Sequence, residues 1–281
     1  MNDPLCPSID KDKIVIFHEK ECKKWERTST SKGNQTKYII DGLYIKKDFL
    51  GYEGLAEFVC SLLLSCSDIK WYVKYNLCFI EESGHNSNAC YSENFLKPGD
   101  SYITIHRLLD QLGYDTNMEF ESDWAHYNII HLRELIADKV KFDYMIEIAK
   151  TLRFDAIVLG EDRHFNNLGF IMNNGRYSDG PIFDNGLSLL SDLRAYPEDS
   201  QTFRKMVECK PFCRDFIRQI ADLNKHGYKN IVINQSKFIA FMQSEDKLMK
   251  SYYNAETVER VKKIVFDRLK ESEGELWENG I

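Results

Sequence analysis

Residues 160–186 read GEDRHFNNLGFIMNNGRYSDGPIFDNG, with Asp162, Arg163, His164, Asn166 and Asn167 crowded into six positions. They follow a long apolar-periodic segment, and a further acid, Asp184, stands 22 residues after Asp162, across a hairpin turned at Asn174-Gly175. Groups this costly to desolvate, set beside a core, are either a crowded loop or a site. The layout suits phosphoryl transfer. An Asp meets the acceptor hydroxyl, an Asn five residues on binds a metal ion, and an Asp on a neighbouring turn supplies a second ligand. Mg²⁺ is a hard ion that takes carboxylate, amide and phosphate oxygens, and the acceptor needs a carboxylate within hydrogen-bond reach. The candidate catalytic set is therefore Asp162, Asn167 and Asp184, with Asn167 and Asp184 as the metal side. Taken singly, each could equally cap a loop, which Asp and Asn often do.

The elements that must position these groups are legible on both sides. Residues 11–50 read as short strands: KIVIF (13–17) has strand length, and Asp41-Gly42 splits KYIIDGLYIKKDF (37–49) into a hairpin. A small polar stretch around Gly33 lies between them. In GYEGLAEFVCSLLLSC (51–66), Leu55, Phe58, Val59 and Leu62 fall at helical spacing, which predicts an amphipathic helix. WYVKYNLCFIEE (71–82) is strand-like again, and residues 83–101 read as a polar connector with a Pro-Gly turn. Beyond it the chain reads as mostly helical: 103–113, 127–139, 141–160 with apolar positions 142, 145, 146, 149, 152 and 156, and from about 201 to the end. The expectation is an α+β chain with two lobes: a small β-rich lobe with one main helix over residues 1–82, and a larger α-rich lobe over 83–281. A cleft between them is the natural ligand site.

Composition narrows the function classes. The 281 residues carry 37 basic and 44 acidic side chains, net −7, so binding nucleic acid or an anionic membrane directly is disfavoured as the main role. No apolar run approaches the ~20 residues of a membrane span. The start, MNDPLCPSID, has no signal-peptide pattern. The eight cysteines sit largely in apolar patterns and read as free thiols in a reducing cytoplasm, with secretion as an effector left open. Cys209 and Cys213, in CKPFC, form the one close pair and lack the partners a zinc site needs.

The motifs add a resemblance. EDRHFNN followed by PIFDNG resembles the D-R-H-x-x-N and D-x-G pair of the HipA-like branch of the protein-kinase-like superfamily, an order shared with phosphoinositide kinases. Residues 30–37, TSKGNQTK, are similar to that family's S-x-x-G-x-Q-x-K phosphate-loop signature, with Thr30 for the Ser and with Gly33, Gln35 and Lys37 matching. LYIKKDFLGYEGLAEF resembles the strand and helix that carry the nucleotide lysine and its glutamate partner. Together the motifs cover about residues 29–190, and the absence of a preceding subdomain is similar to the compact CtkA-like and HipT-like forms.

The resemblance implies a two-lobed protein-kinase-like fold and an ATP- and Mg²⁺-dependent serine/threonine protein kinase. Asp162 would position and deprotonate the acceptor. Asn167 and Asp184 would hold Mg²⁺. Lys46, with Lys47 as the alternative, would meet the α- and β-phosphates, paired to Glu53 or Glu57, which lie one turn apart on one face. Gly33 and its neighbours would cover the phosphates. Thr30, Ser29 or Ser31 would be autophosphorylated as a brake, since added charge repels ATP. Arg163 and His164 would support the catalytic loop, and so would Asp155. The implied partners are a protein substrate and a small antitoxin-like protein. A small-molecule or lipid-headgroup kinase, or a nucleotide-binding pseudokinase-like module, are the other readings. SENFL (92–96) and LLSDLRAYP (189–197) would flank the cleft, as substrate contacts or as a plain connector and a cap.

Overall fold

A computed structural model of the chain describes residues 14–25, 35–114, 129–141 and 144–278. Ser29, Thr30, Ser31 and Gly33 lie outside the described residues.

The first half forms a six-stranded sheet. In chain order its strands are β1 (Ile16–His18), β2 (Lys23–Lys24), β3 (Lys37–Ile40), β4 (Leu43–Lys47), β5 (Asn76–Glu82) and β6 (His85–Glu93). Their spatial order is β1-β5-β6-β4-β3-β2, with only the β1–β5 pair parallel. Both tight hairpins have two residues at positive φ, Asp41 (47°) with Gly42 (79°) and Ser83 (52°) with Gly84 (84°), as their right-handed twist requires. Residues 83–101 are thus not the expected connector. Strand β6 fills 85–93, pairs with both β5 and β4, and buries Ala89, Cys90, Tyr91 and Ser92. The polar composition misled because Asn86, Ser87 and Asn88 sit at the hairpin end, where polar side chains reach solvent. The sheet crosses the 82/83 boundary expected between the lobes.

Helix α1 (Glu53–Leu64) lies between β4 and β5. Leu55, Phe58 and Val59 are buried as the spacing predicts, but so are Glu53, Glu57 and Ser61. The helix is not amphipathic in the ordinary sense, because its polar stripe faces protein. One face of β4–β6 joins Ile45, Cys78, Ile80, Ala89 and Tyr91 with Tyr38, while the other presents Lys46 and Cys90.

The second half is mainly helical around one large apolar core. After a short strand β7 (Ser101–Thr104) come α2 (Ile105–Gln111), α3 (Ile129–Ile136) and α4 (Met145–Val158). The expected 103–113 helix therefore begins two residues late, where the Thr104 hydroxyl accepts from Arg107 N at 3.0 Å. Along α4, Met145, Ala149, Leu152 and Ala156 are buried, whereas Ile146 is exposed. Strands β8 (Gly169–Asn173) and β9 (Arg176–Asp179) form the expected hairpin, turned at Asn174 and Gly175, and β8 also pairs with β7. The remaining helices are α5 (Gln201–Met206), α6 (Phe216–Lys225), α7 (Gln235–Ser244), α8 (Asp246–Tyr252) and α9 (Ala255–Glu278). This is the α+β, two-lobed architecture that the sequence implies. No described helix is long and apolar enough to cross a membrane.

The segment 189–193 ties the entry of α1 to the helical half. Tyr52 Oη donates to Leu189 O (2.7 Å) and Leu190 O (2.9 Å), both leucines at positive φ, and Leu193 N donates to Leu50 O at 3.1 Å. A Cβ on Gly51 would stand 2.2 Å from Ser191 O, so this crossing admits only glycine. Gly51→Ala is expected to lower unfolding free energy by about 1–3 kcal/mol, the range for overpacking a tight contact, read from urea unfolding.

Asp48 anchors the same end of α1, accepting from Gly54 N at 2.6 Å and from Tyr253 Oη at 2.8 Å. Desolvation, then the Glu53 carboxylate, push its carboxyl up to about 7. A carboxyl raised on folding contributes stability that is present below its unfolded value near 4 and is lost as pH rises through about 7. The urea midpoint of Asp48→Asn relative to the parent should therefore shift in the variant's favour between pH 5 and pH 8. A constant difference would show that Asp48 does not titrate in that window.

Candidate active site

The centre of the cleft is a cluster of charges. Lys46, on β4, donates from Nζ to Glu57 Oε1 at 2.5 Å and to Asp184 Oδ1 at 2.6 Å, and lies 5.0 Å from the centre of the Tyr75 ring. Burial alone would pull its ammonium down, but the Asp184 and Glu57 carboxylates hold it well above the usual lysine value. Burial would likewise raise Asp184; Lys46, then Lys37, outweigh it and keep the carboxyl far below the ordinary range. Burial does raise Glu57, although Lys46 opposes the shift. The cluster thus holds an ammonium between carboxylates, with Asp184 firmly anionic.

The structure separates the pairs that the sequence leaves open. Lys47 points to the opposite face of β4, as strand alternation demands, and bonds Glu82. Glu53 does not reach Lys46: its carboxylate accepts from Phe49 N (3.1 Å), Leu50 N (2.7 Å) and Gly51 N (2.9 Å), folding the turn before α1. Glu57 takes the lysine and also accepts from Asn185 N at 2.8 Å. Lys37 pairs in register with Lys46 across β3–β4, on the same side of the sheet. Gln35 just precedes β3, and its buried Nε2 has no hydrogen-bond partner among the described residues.

The loop after α4 is held by Arg163. Its guanidinium grips Asp155 with Nε to Oδ2 (2.9 Å) and Nη2 to Oδ1 (3.0 Å), and also donates to Asn185 Oδ1 (2.6 Å), Phe183 O (2.7 Å) and Asn167 O (3.4 Å). Arg163 and Asp155 are both fully buried. One side chain thus joins α4, the 162–167 loop and the 183–185 turn. Phe183, Phe95 and Tyr102 form a ring cluster with centroids 5.3–5.7 Å apart, Tyr102 meeting both phenylalanines edge-on.

Within the loop, Asn167 Nδ2 donates to Asp162 O at 2.8 Å. That commits the amide nitrogen and leaves the carbonyl oxygen, the donor a hard cation prefers, at the other end of the group. Asp184 is at φ 62°, a left-handed conformation that Asp tolerates and that marks functional turns. An anionic carboxylate and an amide carbonyl fit Mg²⁺, which takes one or two protein oxygens and completes its shell with phosphate and water. Among the described residues, no cluster of three or more His, Cys, Asp or Glu forms a metal site of another kind.

The Asp162 carboxylate is approached by His164 and Lys210. His164 Nε2 lies 3.6 Å from Oδ2, and Lys210 Nζ donates to Oδ1 at 2.9 Å. Burial lowers the His164 imidazole, and Lys210 adds to that while Asp162 opposes it. A neutral His164 suits the expected supporting role. Lys210 and Asn185 were not singled out by sequence reasoning. Asn185 adjoins Asp184 and could have been weighed, but Lys210 lies 48 residues from its partner with no local signal.

Arg163 gives a direct test. Arg163→Ala strands Asp155 unpaired in the interior, which should cost about 3–5 kcal/mol in urea unfolding. Arg163→Lys keeps the charge but not the fork, so it should recover only part of that stability. Full recovery by lysine would mean that charge alone, without the planar geometry, holds the two loops together.

No protein-family profile matches the chain, and no curated protein matches it in sequence. Solved structures do match in fold. CtkA, a proinflammatory kinase of Helicobacter pylori, superposes with a TM-score of 0.59 at 12% identity, over 92% of this chain and 95% of its own. HipA of Shewanella oneidensis MR-1, solved with HipB and operator DNA, superposes with a TM-score of 0.56 at 15% identity, over 89% of this chain and 66% of its own. The resemblance carried by the motifs and the resemblance in structure thus coincide: the chain has the two-lobed fold of the HipA-like kinases.

Proposed function

We propose that the protein is an ATP- and Mg²⁺-dependent kinase that transfers the γ-phosphoryl group to serine or threonine hydroxyls of a protein. The observation that carries this reading is the Lys46–Glu57–Asp184 cluster, joined through Arg163 and Asn185 to the loop bearing Asp162 and Asn167. The fold shared with HipA-like kinases supports it. The small lobe is read as the sheet and α1, the large lobe as β7 onward, with 94–100 between them.

Glu57 fixes Lys46 for the α- and β-phosphates, Lys37 lies beside Lys46 on the same side of the sheet, and Gln35 just before β3 would join them. Asn167 and Asp184 present oxygens to Mg²⁺, which when bound neutralises charge developing on the phosphate oxygens. Lys46 and Asp184, paired at 2.6 Å, are the side chains that would meet the phosphates and Mg²⁺ respectively. Asp162 orients the acceptor hydroxyl and takes its proton, while Arg163 keeps Asp162 and Asp184 in fixed relation. Phosphorylation at Thr30, Ser29 or Ser31 would oppose nucleotide binding by like-charge repulsion. A small antitoxin-like protein is proposed as a binding partner, by analogy with the HipA that was solved with HipB. The cytoplasm is the proposed site of action.

The protein incubated with labelled ATP and Mg²⁺ should incorporate phosphate within 29–31. Asp162→Asn should slow incorporation by about 10²–10⁴-fold, the usual contribution of a positioned base. Asp184→Asn should remove the dependence on Mg²⁺ concentration together with activity. Nucleotide binding with no transfer to any protein would defeat the reading in favour of a binding module. Label found only in metabolites would defeat it in favour of a small-molecule kinase.

A further inference from the structure

The segment 207–215, between α5 and α6, packs on the 162–167 loop. The Phe212 ring meets Phe165 edge-on at 5.9 Å, and Lys210 Nζ donates to Asp162 Oδ1 at 2.9 Å. Both contacts lie between Cys209 and Cys213. Their sulfurs are 3.9 Å apart, the Cys209 thiol also approaches Cys213 O at 3.2 Å, and Cys209 N donates to Arg214 O at 3.1 Å. The backbone therefore already closes on itself around Lys210. Cys209 and Phe212 are buried in the main core, whereas Cys213 is half-exposed.

We propose that Cys209 and Cys213 are a redox modification site, which a peroxide converts into a disulfide that draws Lys210 away from Asp162. The catalytic consequence rests on the reading of Asp162 given above; the disulfide and the movement of Lys210 do not. A disulfide needs its sulfurs at about 2.05 Å, so closure must contract the present approach by roughly half. Cys209 and Phe212 are buried in the core while Cys213 packs only at its edge, so the larger share of the contraction falls on Cys213 and the chain between, which carries Lys210. A charge-assisted hydrogen bond is lost over a shift of this size.

The chemistry balances with one equivalent of peroxide. The Cys213 thiolate attacks one peroxide oxygen, an S–O bond forms, the O–O bond breaks and hydroxide leaves. The Cys209 sulfur then attacks the sulfenic sulfur, an S–S bond forms and the S–O bond breaks. The Cys209 proton leaves with that oxygen as water. Two thiols and one hydrogen peroxide give one disulfide and two waters, with the sulfurs oxidised by two electrons. Cys213 is the suited nucleophile. The hydrogen bond from Cys209 is the largest influence on its thiol and helps bring it down to about 7, while the same contact and burial raise Cys209. Cys60, Cys78 and Cys90 are buried with thiols raised well above their usual value, mainly by burial, and are poor competitors.

The test compares reduced and hydrogen-peroxide-treated protein. Trypsin releases both cysteines in one peptide, 206–214, because Lys210 precedes Pro211. Oxidation should lower that peptide's mass by two hydrogens ahead of change at any other cysteine, and a thiol reductant should reverse it. Amine labelling of Lys210 should rise several-fold in the oxidised protein, and phosphoryl transfer should fall by about tenfold, as loss of one charge-assisted contact implies. Cys213→Ser should transfer phosphate normally when reduced and ignore peroxide in both readouts. No disulfide, or a disulfide with Lys210 labelling unchanged, overturns the proposal. If both structural changes occur and the protein transfers no phosphate under any condition, the kinase reading fails while the redox site stands. If transfer occurs but is the same in oxidised and reduced protein, the site has no hold on Asp162.

Discussion

The buried Arg163–Asp155 pair is the constraint from which the rest of the cleft is arranged. A guanidinium in the interior must satisfy its donors in a plane, and here they are met by a carboxylate, an amide oxygen and two carbonyls from three segments. Segments that meet those donors cannot drift relative to one another without leaving a buried charge unmet. The cost of burying Arg163 is therefore also what fixes the distance between the 162–167 loop and the 183–185 turn. Glu57 extends this by accepting from Asn185 N, so that the turn positioned by Arg163 also positions α1 and, through it, Lys46.

The polar stripe on α1 has a similar logic. A helix with Glu53, Glu57 and Ser61 on one face would ordinarily turn that face to water. Each instead meets a fixed partner: backbone amides of the preceding turn for Glu53, Lys46 and Asn185 for Glu57, and Phe58 O and Tyr75 N for Ser61. The helix thus acts as a spacer between the sheet and the 183–186 turn. Gly186 lets it approach, since a Cβ there would stand 3.3 Å from Glu53 Cβ.

What was legible in the sequence follows the range of each interaction. The Asp162–Asn167 spacing and the hairpin at Asn174-Gly175 are local, and so were readable. Lys46 and Lys47 are neighbours that composition cannot separate; strand alternation puts them on opposite faces, Lys46 with Glu57 and Asp184 and Lys47 with Glu82. Glu53 and Glu57 share a helical face, so no local pattern separates them; the difference comes from Asn185 and Lys46, far along the chain. Strand β6 was missed because hydropathy reported its solvent end, whereas its central place is set by pairing with β4 and β5. Lys210 was invisible for the same reason in a stronger form: its role depends on a contact spanning 48 residues.

The charge count around the cleft explains why so expensive an arrangement holds together. Two buried cations, Lys46 and Arg163, face three carboxylates, Glu57, Asp184 and Asp155. Glu57 and Asp184 share the Lys46 ammonium, and Lys37 on the neighbouring strand adds positive charge toward Asp184. Carboxylates in a medium of low polarity attract a cation more strongly than the same groups would in water. Asp184 is the one of the two that is open to a newcomer, because its side chain is 25% exposed while Glu57 is fully enclosed. The interior that Arg163 makes rigid thus leaves an exposed carboxylate beside the loop that carries Asp162.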